Sequence, residues 1–106
     1  MRRGDIFWAD LGPPAGRRPV LVVTRSAAIP VLAAVIVAPI TRTVRDIASE
    51  VRLGPDHGLP EEGVASCDNL LTVPTQLLDS QPVGELEPWK VMELDQALCF
   101  ALEINF

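Results

Sequence analysis

The sequence predicts a mainly β fold with one C-terminal α-helix: a small, strongly curved sheet closed by that helix. Two observations carry the prediction. Residues 5–86 divide into five or six short runs rich in β-branched and aromatic side chains, separated by glycine and proline. The one long segment with helical periodicity, 87–102, comes last. A length of 106 residues, with 48% hydrophobic and 22% charged side chains, fits a single globular domain over 1–106. A chain of this size hides about two-thirds of its unfolded surface, enough for one core.

Asp5-Ile-Phe-Trp-Ala-Asp-Leu11 reads as the first strand. Gly12-Pro-Pro-Ala-Gly16 is a loop, because its glycines and prolines forbid regular structure. Val20 to Val23 form a buried strand, with Pro19 at its start, where a missing N–H costs least. Arg25 to Pro30 is a connection that includes a helical turn. Residues 33–41, β-branched and apolar, form a strand covered on both faces, and Pro39 marks a bulge or an edge. Arg42-Thr-Val-Arg45 is a polar exit. Ser49-Glu-Val-Arg-Leu53 alternates as a half-exposed strand does.

Residues 54–58 and 60–63 are turn-rich, which makes His57 a solvent-exposed turn residue. Val64 to Cys67 is a short strand ending at Asp68-Asn69, and Leu70 to Val73 continues it after a kink. Residues 74–78 make one helical turn and 82–86 a last strand. In the helix, Pro88 suits the first turn, and Glu85 and Glu87 complement the positive end of the dipole. Trp89, Met92, Gln96 and Cys99 share one side; Val91, Leu94, Leu98, Ala101 and Leu102 share the next. That is more apolar girth than one protomer covers, so a homodimer is expected.

The net charge of −5 argues against a polyanionic partner, but its distribution does not. Residues 1–53 hold eight arginines against four acids, for +4; residues 54–106 hold Lys90 against ten acids, for −9. Such asymmetry fits a local anion site on an acidic body, unless the fold interleaves the halves and the charges merely solvate a surface. No apolar run approaches the roughly 18 residues of a membrane span, and no signal-like apolar stretch follows Arg2 and Arg3, so a cytoplasmic protein with no membrane partner is expected. Cys67 and Cys99 lie among apolar neighbours and read as buried free thiols. Asp79, Glu85, Glu87, Glu93, Asp95 and Glu103 read as a solvated face rather than a metal cluster; no metal and no cofactor is expected.

Five segments resemble the MazF/PemK toxin family. Arg3-Gly-Asp-Ile-Phe-Trp-Ala-Asp-Leu11 is similar to its first strand, and Arg17-Arg-Pro-Val-Leu-Val-Val23 to its R-P-led second strand. Val37-Ala-Pro-Ile-Thr41 resembles its strand ending in a hydroxyl residue. Val64-Ala-Ser-Cys-Asp-Asn-Leu-Leu-Thr72 and the helical Leu94-Asp-Gln-Ala-Leu98 resemble its remaining motifs, in the right order along the whole chain. The resemblance implies an SH3-like barrel of the CcdB/MazF type, a homodimer, and a cognate MazE-like antitoxin that blocks the substrate groove. It also implies metal-independent, sequence-specific cleavage of single-stranded RNA, leaving 2′,3′-cyclic phosphate and 5′-OH ends and so inhibiting translation and growth.

The resemblance further implies that Arg18 and Thr41 are catalytic. The chemistry suits them: attack of a ribose 2′-OH on its phosphate builds negative charge that a guanidinium fork can bind at two oxygens at once, and a hydroxyl can hydrogen-bond a phosphate oxygen. The alternatives are a surface arginine and a turn hydroxyl bonded to its own backbone. Arg42 and Arg45 would extend a phosphate track, with solvated loop charge as the alternative, and Arg17 would contact RNA or solvent rather than the scissile phosphate. Asp68, Asn69 and Thr72 would read base edges, unless Asp-Asn is only a turn. Phe7 and Trp8 alternate on the first strand; core packing is favoured for both, with base stacking by one as the alternative.

Arginine is a fixed cation at neutral pH, so Arg18 is read as acid and charge stabiliser, not base. Asp10 or Asp68 would serve as base if near the 2′-OH. Leu71 stands where the family often has arginine, and the loop 12–17 is short, so one phosphate contact is lost and the groove's rim differs. The competing functions are a CcdB-like gyrase poison and a non-catalytic SH3-like binding module. The first relies on a tryptophan near the helix end, whereas this chain ends in Glu-Ile-Asn-Phe106.

Overall fold

A computed structural model describes residues 1–105. Strand β1 (Asp5–Asp10) pairs antiparallel with β2 (Arg17–Val22), and β2 with β3 (Ala34–Thr41). β4 (Glu50–Leu53) pairs with β5 (Gly63–Ser66), and β5 with the end of β3. β6 (Leu71–Pro74) pairs with the beginning of β3, β7 (Gly84–Glu85) with β1, and helix α1 (Pro88–Leu102) closes the described fold. The sheet runs β4-β5-β3-β2-β1-β7, with β6 beside β3. The mainly β class and the C-terminal helix agree with the sequence reading. The barrel, however, is an open half-barrel, because β4 and β7 end the sheet without pairing with each other.

The bend of the sheet comes from β3, which changes partner along one edge. Ala34 to Val37 face β6, whereas Ile40 and Thr41 face β5. Pro39 lies in the gap between the two ladders, where an absent N–H is tolerated. Period-2 alternation then feeds two cores. Ile6, Leu21, Ala38 and Ile40 pack with Leu94, Ala97 and Leu98 of α1, while Phe7, Val20, Val22, Val35 and Val37 pack with Ile29, Val73 and Leu78. β3 is not covered throughout. Ile36 is exposed opposite the equally exposed Thr72, where the face of the sheet is open in a single chain.

On α1, Leu94, Ala97 and Leu98 are buried, while Trp89, Met92 and Phe100 face outward. Leu102, expected beside Leu98, is also exposed: the next residue, Glu103, adopts a left-handed conformation (φ 56°) and ends the helix. Cys67 is buried, and burial raises its thiol pKa to about 11, with a further contribution from Asp68. Cys99 is only half-buried. Both thiols are free.

His57 departs furthest from expectation. Its imidazole is buried, with Nε2 2.9 Å from Glu87 Oε1 at the start of α1 and, among the described residues, no partner for Nδ1. Glu87 is held below its usual carboxylate range, first by its own backbone amide and then by His57. Glycine makes this approach possible. A Cβ on Gly84 would sit 2.0 Å from the His57 carbonyl oxygen, and one on Gly58 (φ +83°) would sit 1.9 Å from that of Val83. The turn 55–58 is thereby seated on β7 and α1, which anchors the 59–63 segment that follows. Among the described residues no helix is long and apolar enough to cross a membrane.

Candidate nucleic-acid interface

β2 and β3 pair Val20 with Pro39 and Val22 with Val37. Carried two residues further, the same register sets Arg18 opposite Thr41 at one end of the two strands. An open groove of about 470 Å³ lies there, lined by Trp8, Arg17, Arg18, Thr41, Arg42 and Thr43 on one side and by residues 59–63 on the other. A second lobe of about 350 Å³ is lined by Leu11, Arg18, Pro39, Thr41, Arg45 and Asn69, among others. Arg18, Thr41 and Thr43 line both lobes, so the lobes meet at these residues.

The arginines differ in their surroundings. Arg17 is joined to Asp79 by two hydrogen bonds, Nη1 to Oδ1 at 2.9 Å and Nη2 to Oδ2. That pairing raises the Arg17 pKa and lowers the Asp79 pKa, the shared hydrogen bonds being the largest cause of each. Arg42 pairs with Glu61 at 2.9 Å. Among the described residues no carboxylate lies within ion-pairing distance of Arg18 or Arg45. The Thr41 hydroxyl accepts a bond from the Thr43 amide at 3.2 Å, the local turn bond considered above as an alternative. Its own proton remains available to a ligand in the groove.

The other candidates are divided. Asn69 lines the second lobe and donates to Ser66 Oγ at 2.8 Å. Asp68 accepts from Ser49 Oγ at 2.5 Å and lines neither lobe; Thr72 lines neither as well. Asp10 receives the Gly12 amide and also lines neither lobe, so neither proposed base is in the groove. The carboxylates that do line it are Glu61 and Glu62, which the sequence reading missed. Phe7 is core, but Trp8 is not: it is half-buried and forms groove wall. Leu71 lines the second lobe and is 41% exposed, leaving that stretch apolar.

A bent sheet with arginine, hydroxyl and amide groups along a concave strand-end groove defines a small half-barrel β protein with an open polar cleft, and comparison with known proteins narrows this. Residues 2–102 match the family described as "PemK-like, MazF-like toxin of type II toxin-antitoxin system", and the chain belongs to it. It is 37% identical over 103 residues to "Probable endoribonuclease MazF5" of Mycobacterium tuberculosis, covering 96% of this chain and 89% of that one. It is 40% identical over 89 residues to "Endoribonuclease MazF3" of the same organism, covering 84% and 85%. Among solved structures, "Mycobacterium tuberculosis toxin MazF-mt6" superposes with a TM-score of 0.88 at 37% identity, covering 96% of this chain and 99% of that one. An "Endoribonuclease in complex with its cognate antitoxin from Mycobacterial species" superposes at 0.86 and 30% identity, covering 100% and 98%.

Proposed function

We propose that this chain is the toxin of a toxin–antitoxin pair: a cytoplasmic, homodimeric endoribonuclease that cuts single-stranded RNA at chosen sequences and is restrained by a cognate antitoxin. The observation that carries the reading is the position of Arg18, which has no ion-pair partner among the described residues, across from Thr41 where the two lobes of the groove meet. The endoribonuclease names of relatives at 37–40% identity support it. The exposed apolar side of α1, with Trp89 at 60%, Met92 at 64% and Phe100 at 63%, supports a partner surface.

In the reaction the 2′-oxygen forms a bond to phosphorus and loses its proton, while the bond from phosphorus to the 5′-oxygen breaks and that oxygen gains a proton. The products are a 2′,3′-cyclic phosphate and a 5′-OH. Arg18 binds the non-bridging oxygens as their charge grows, and the Thr41 hydroxyl donates to the same phosphate. A guanidinium supplies the positive charge that a metal would otherwise bring, so the reading requires no metal. Arg45 and Asn69 hold the flanking strand in the second lobe.

The test is cleavage of a long RNA in excess EDTA with the fragment ends mapped. Cyclic phosphate and 5′-OH ends are expected. Arg18→Ala should fold normally and lose about 100- to 1,000-fold in rate. Near-normal cutting by that variant removes Arg18 from the mechanism. Loss of activity in EDTA with rescue by Mg²⁺ overturns the metal-free reading, and DNA breaks with gyrase in place of RNA cleavage would identify a gyrase poison.

A further inference from the structure

Arg17 has poor surroundings for a phosphate contact. Its fork is taken up by the Asp79 carboxylate, and its guanidinium carbon lies over the Trp8 indole, 5.6 Å from the ring centroid. Asp79 is fixed in turn: its amide donates to the Trp8 carbonyl at 2.9 Å, and its neighbour Leu78 bridges Ala9. The contacts form a closed circuit from Trp8 through Arg17 and Asp79 back to Trp8. Within it a cation and an anion cancel, so an arriving phosphate would meet a guanidinium edge already occupied. The plane of the guanidinium is a different matter. Its central carbon lies over the indole, and the side chain keeps 55% of its surface exposed on the groove wall. Guanidinium planes and aromatic rings are the surfaces on which proteins stack unpaired RNA bases.

We propose that Trp8, Arg17 and Asp79 form a nucleobase subsite, in which an unpaired base of single-stranded RNA lies on the Arg17 guanidinium plane, backed by the indole and held square by the carboxylate. The proposal rests on the ribonuclease reading and deepens it. Arg17 becomes a stacking surface rather than a phosphate contact. Arg18, the next residue, faces the scissile phosphate, so a base seated on Arg17 sets which phosphodiester reaches Arg18. Asp79 is a positioning residue: it touches no RNA and acts through the orientation of Arg17.

The probe is a 2′-O-methylated RNA carrying a cut site mapped with the wild-type protein, which lacks the attacking hydroxyl and is bound without being cut. Its affinity is measured by fluorescence anisotropy over a range of salt, alongside copies with an abasic site at each position in turn. Arg17→Ala combined with Asp79→Asn should weaken binding about fivefold with an unchanged salt slope, since the stacking surface is removed while the local charge stays balanced. One abasic position should cost the wild type the same factor and cost the double variant nothing further. Asp79→Asn alone should also weaken binding, and thermal unfolding of each variant verifies folding.

If Arg17 instead contacts a phosphate, the double variant lowers the salt slope by about 0.7, and Asp79→Asn alone, by releasing the guanidinium, tightens binding; either result overturns the subsite. The abasic scan on the wild type needs no variant, and an even response at every position also overturns it. These failures leave the ribonuclease reading standing. A wild type that neither binds nor cuts RNA removes both.

Discussion

Gly63 ties the fold to the groove, and adding one methyl group there should disable the site. Gly63 opens β5 next to Val64, which pairs with Thr41. A Cβ at position 63 would lie 2.6 Å from the Thr41 carbonyl oxygen and 3.3 Å from its carbonyl carbon. Carbon–oxygen contacts settle at about 3.3–3.6 Å, so the strands must part by about 0.7 Å. The obstacle is backbone and cannot rotate aside, and the residue displaced is Thr41 itself. Catalytic geometry tolerates about 0.5 Å, and a 1 Å misplacement costs up to about 100-fold.

Gly63→Ala is therefore expected to lower cleavage by about tenfold or more. Overpacking should also destabilise the fold by about 1–3 kcal/mol, which thermal unfolding resolves easily at about 4–8 °C per kcal/mol. Gly54→Ala is the matched control. Its Cβ would meet the Glu62 carboxylate at 2.5 Å, but that is the end of a flexible side chain that can swing away. Cleavage within about threefold of wild type is expected for it, by the 0.5 Å tolerance just used. The assay is cleavage of a labelled RNA in EDTA together with a melting curve for each variant. Wild-type activity and melting temperature for Gly63→Ala would refute the claim that contact between β5 and the end of β3 positions Thr41.

Two further outcomes follow from the packing. Leu94→Ala removes a fully buried side chain that joins α1 to the sheet; a loss of about 3 kcal/mol and a melting temperature lower by more than about 10 °C are expected in calorimetry. Cys67, buried and with its thiol pKa raised to about 11, stays protonated at pH 8; iodoacetamide should label the half-buried Cys99 first in the native protein and both thiols equally in denaturant, as mass spectrometry of the peptides will show.

What the sequence made legible was whatever depends on local pattern. The strands, the loop 12–16 and the helix follow from alternation and punctuation, whereas Arg18 and Thr41 were singled out only by the family resemblance. What it hid depends on which chain segments meet. His57 in Pro-Asp-His-Gly carries every local sign of an exposed turn, and only the backbone contact through Gly58 and Gly84 buries it. Glu61 and Glu62 look like solvated charge in a turn-rich stretch, because nothing local shows that residues 59–63 come to face β2 and β3. Alternation sends only one of Phe7 and Trp8 inward and does not say what the other meets; core packing is favoured for both, whereas Trp8 forms groove wall. Closure of the barrel was also beyond reach, since it depends on whether β4 and β7 meet.

The acidic net charge no longer opposes an RNA partner once the ion pairs are traced. Arg2 with Glu85, Arg3 with Asp95, Arg17 with Asp79 and Arg42 with Glu61 each join an arginine of the first half to an acid of the second. The interleaving held open as the bland explanation is therefore real, and it consumes most of the apparent asymmetry. Arg52 pairs with Asp46 within the first half. Among the described residues only Arg18, Arg25 and Arg45 lack such a partner, and two of these three line the groove. Exposed pairs contribute only about 0–1 kcal/mol each, so they do little to hold the fold together. Their consequence is selective: where a carboxylate already sits on a guanidinium, a phosphate must compete for it, and at Arg18 and Arg45 it need not. On the ribonuclease reading, a strand drawn into the groove would thereby be directed to the end of β2, where Thr41 stands opposite, even though the molecule as a whole repels it.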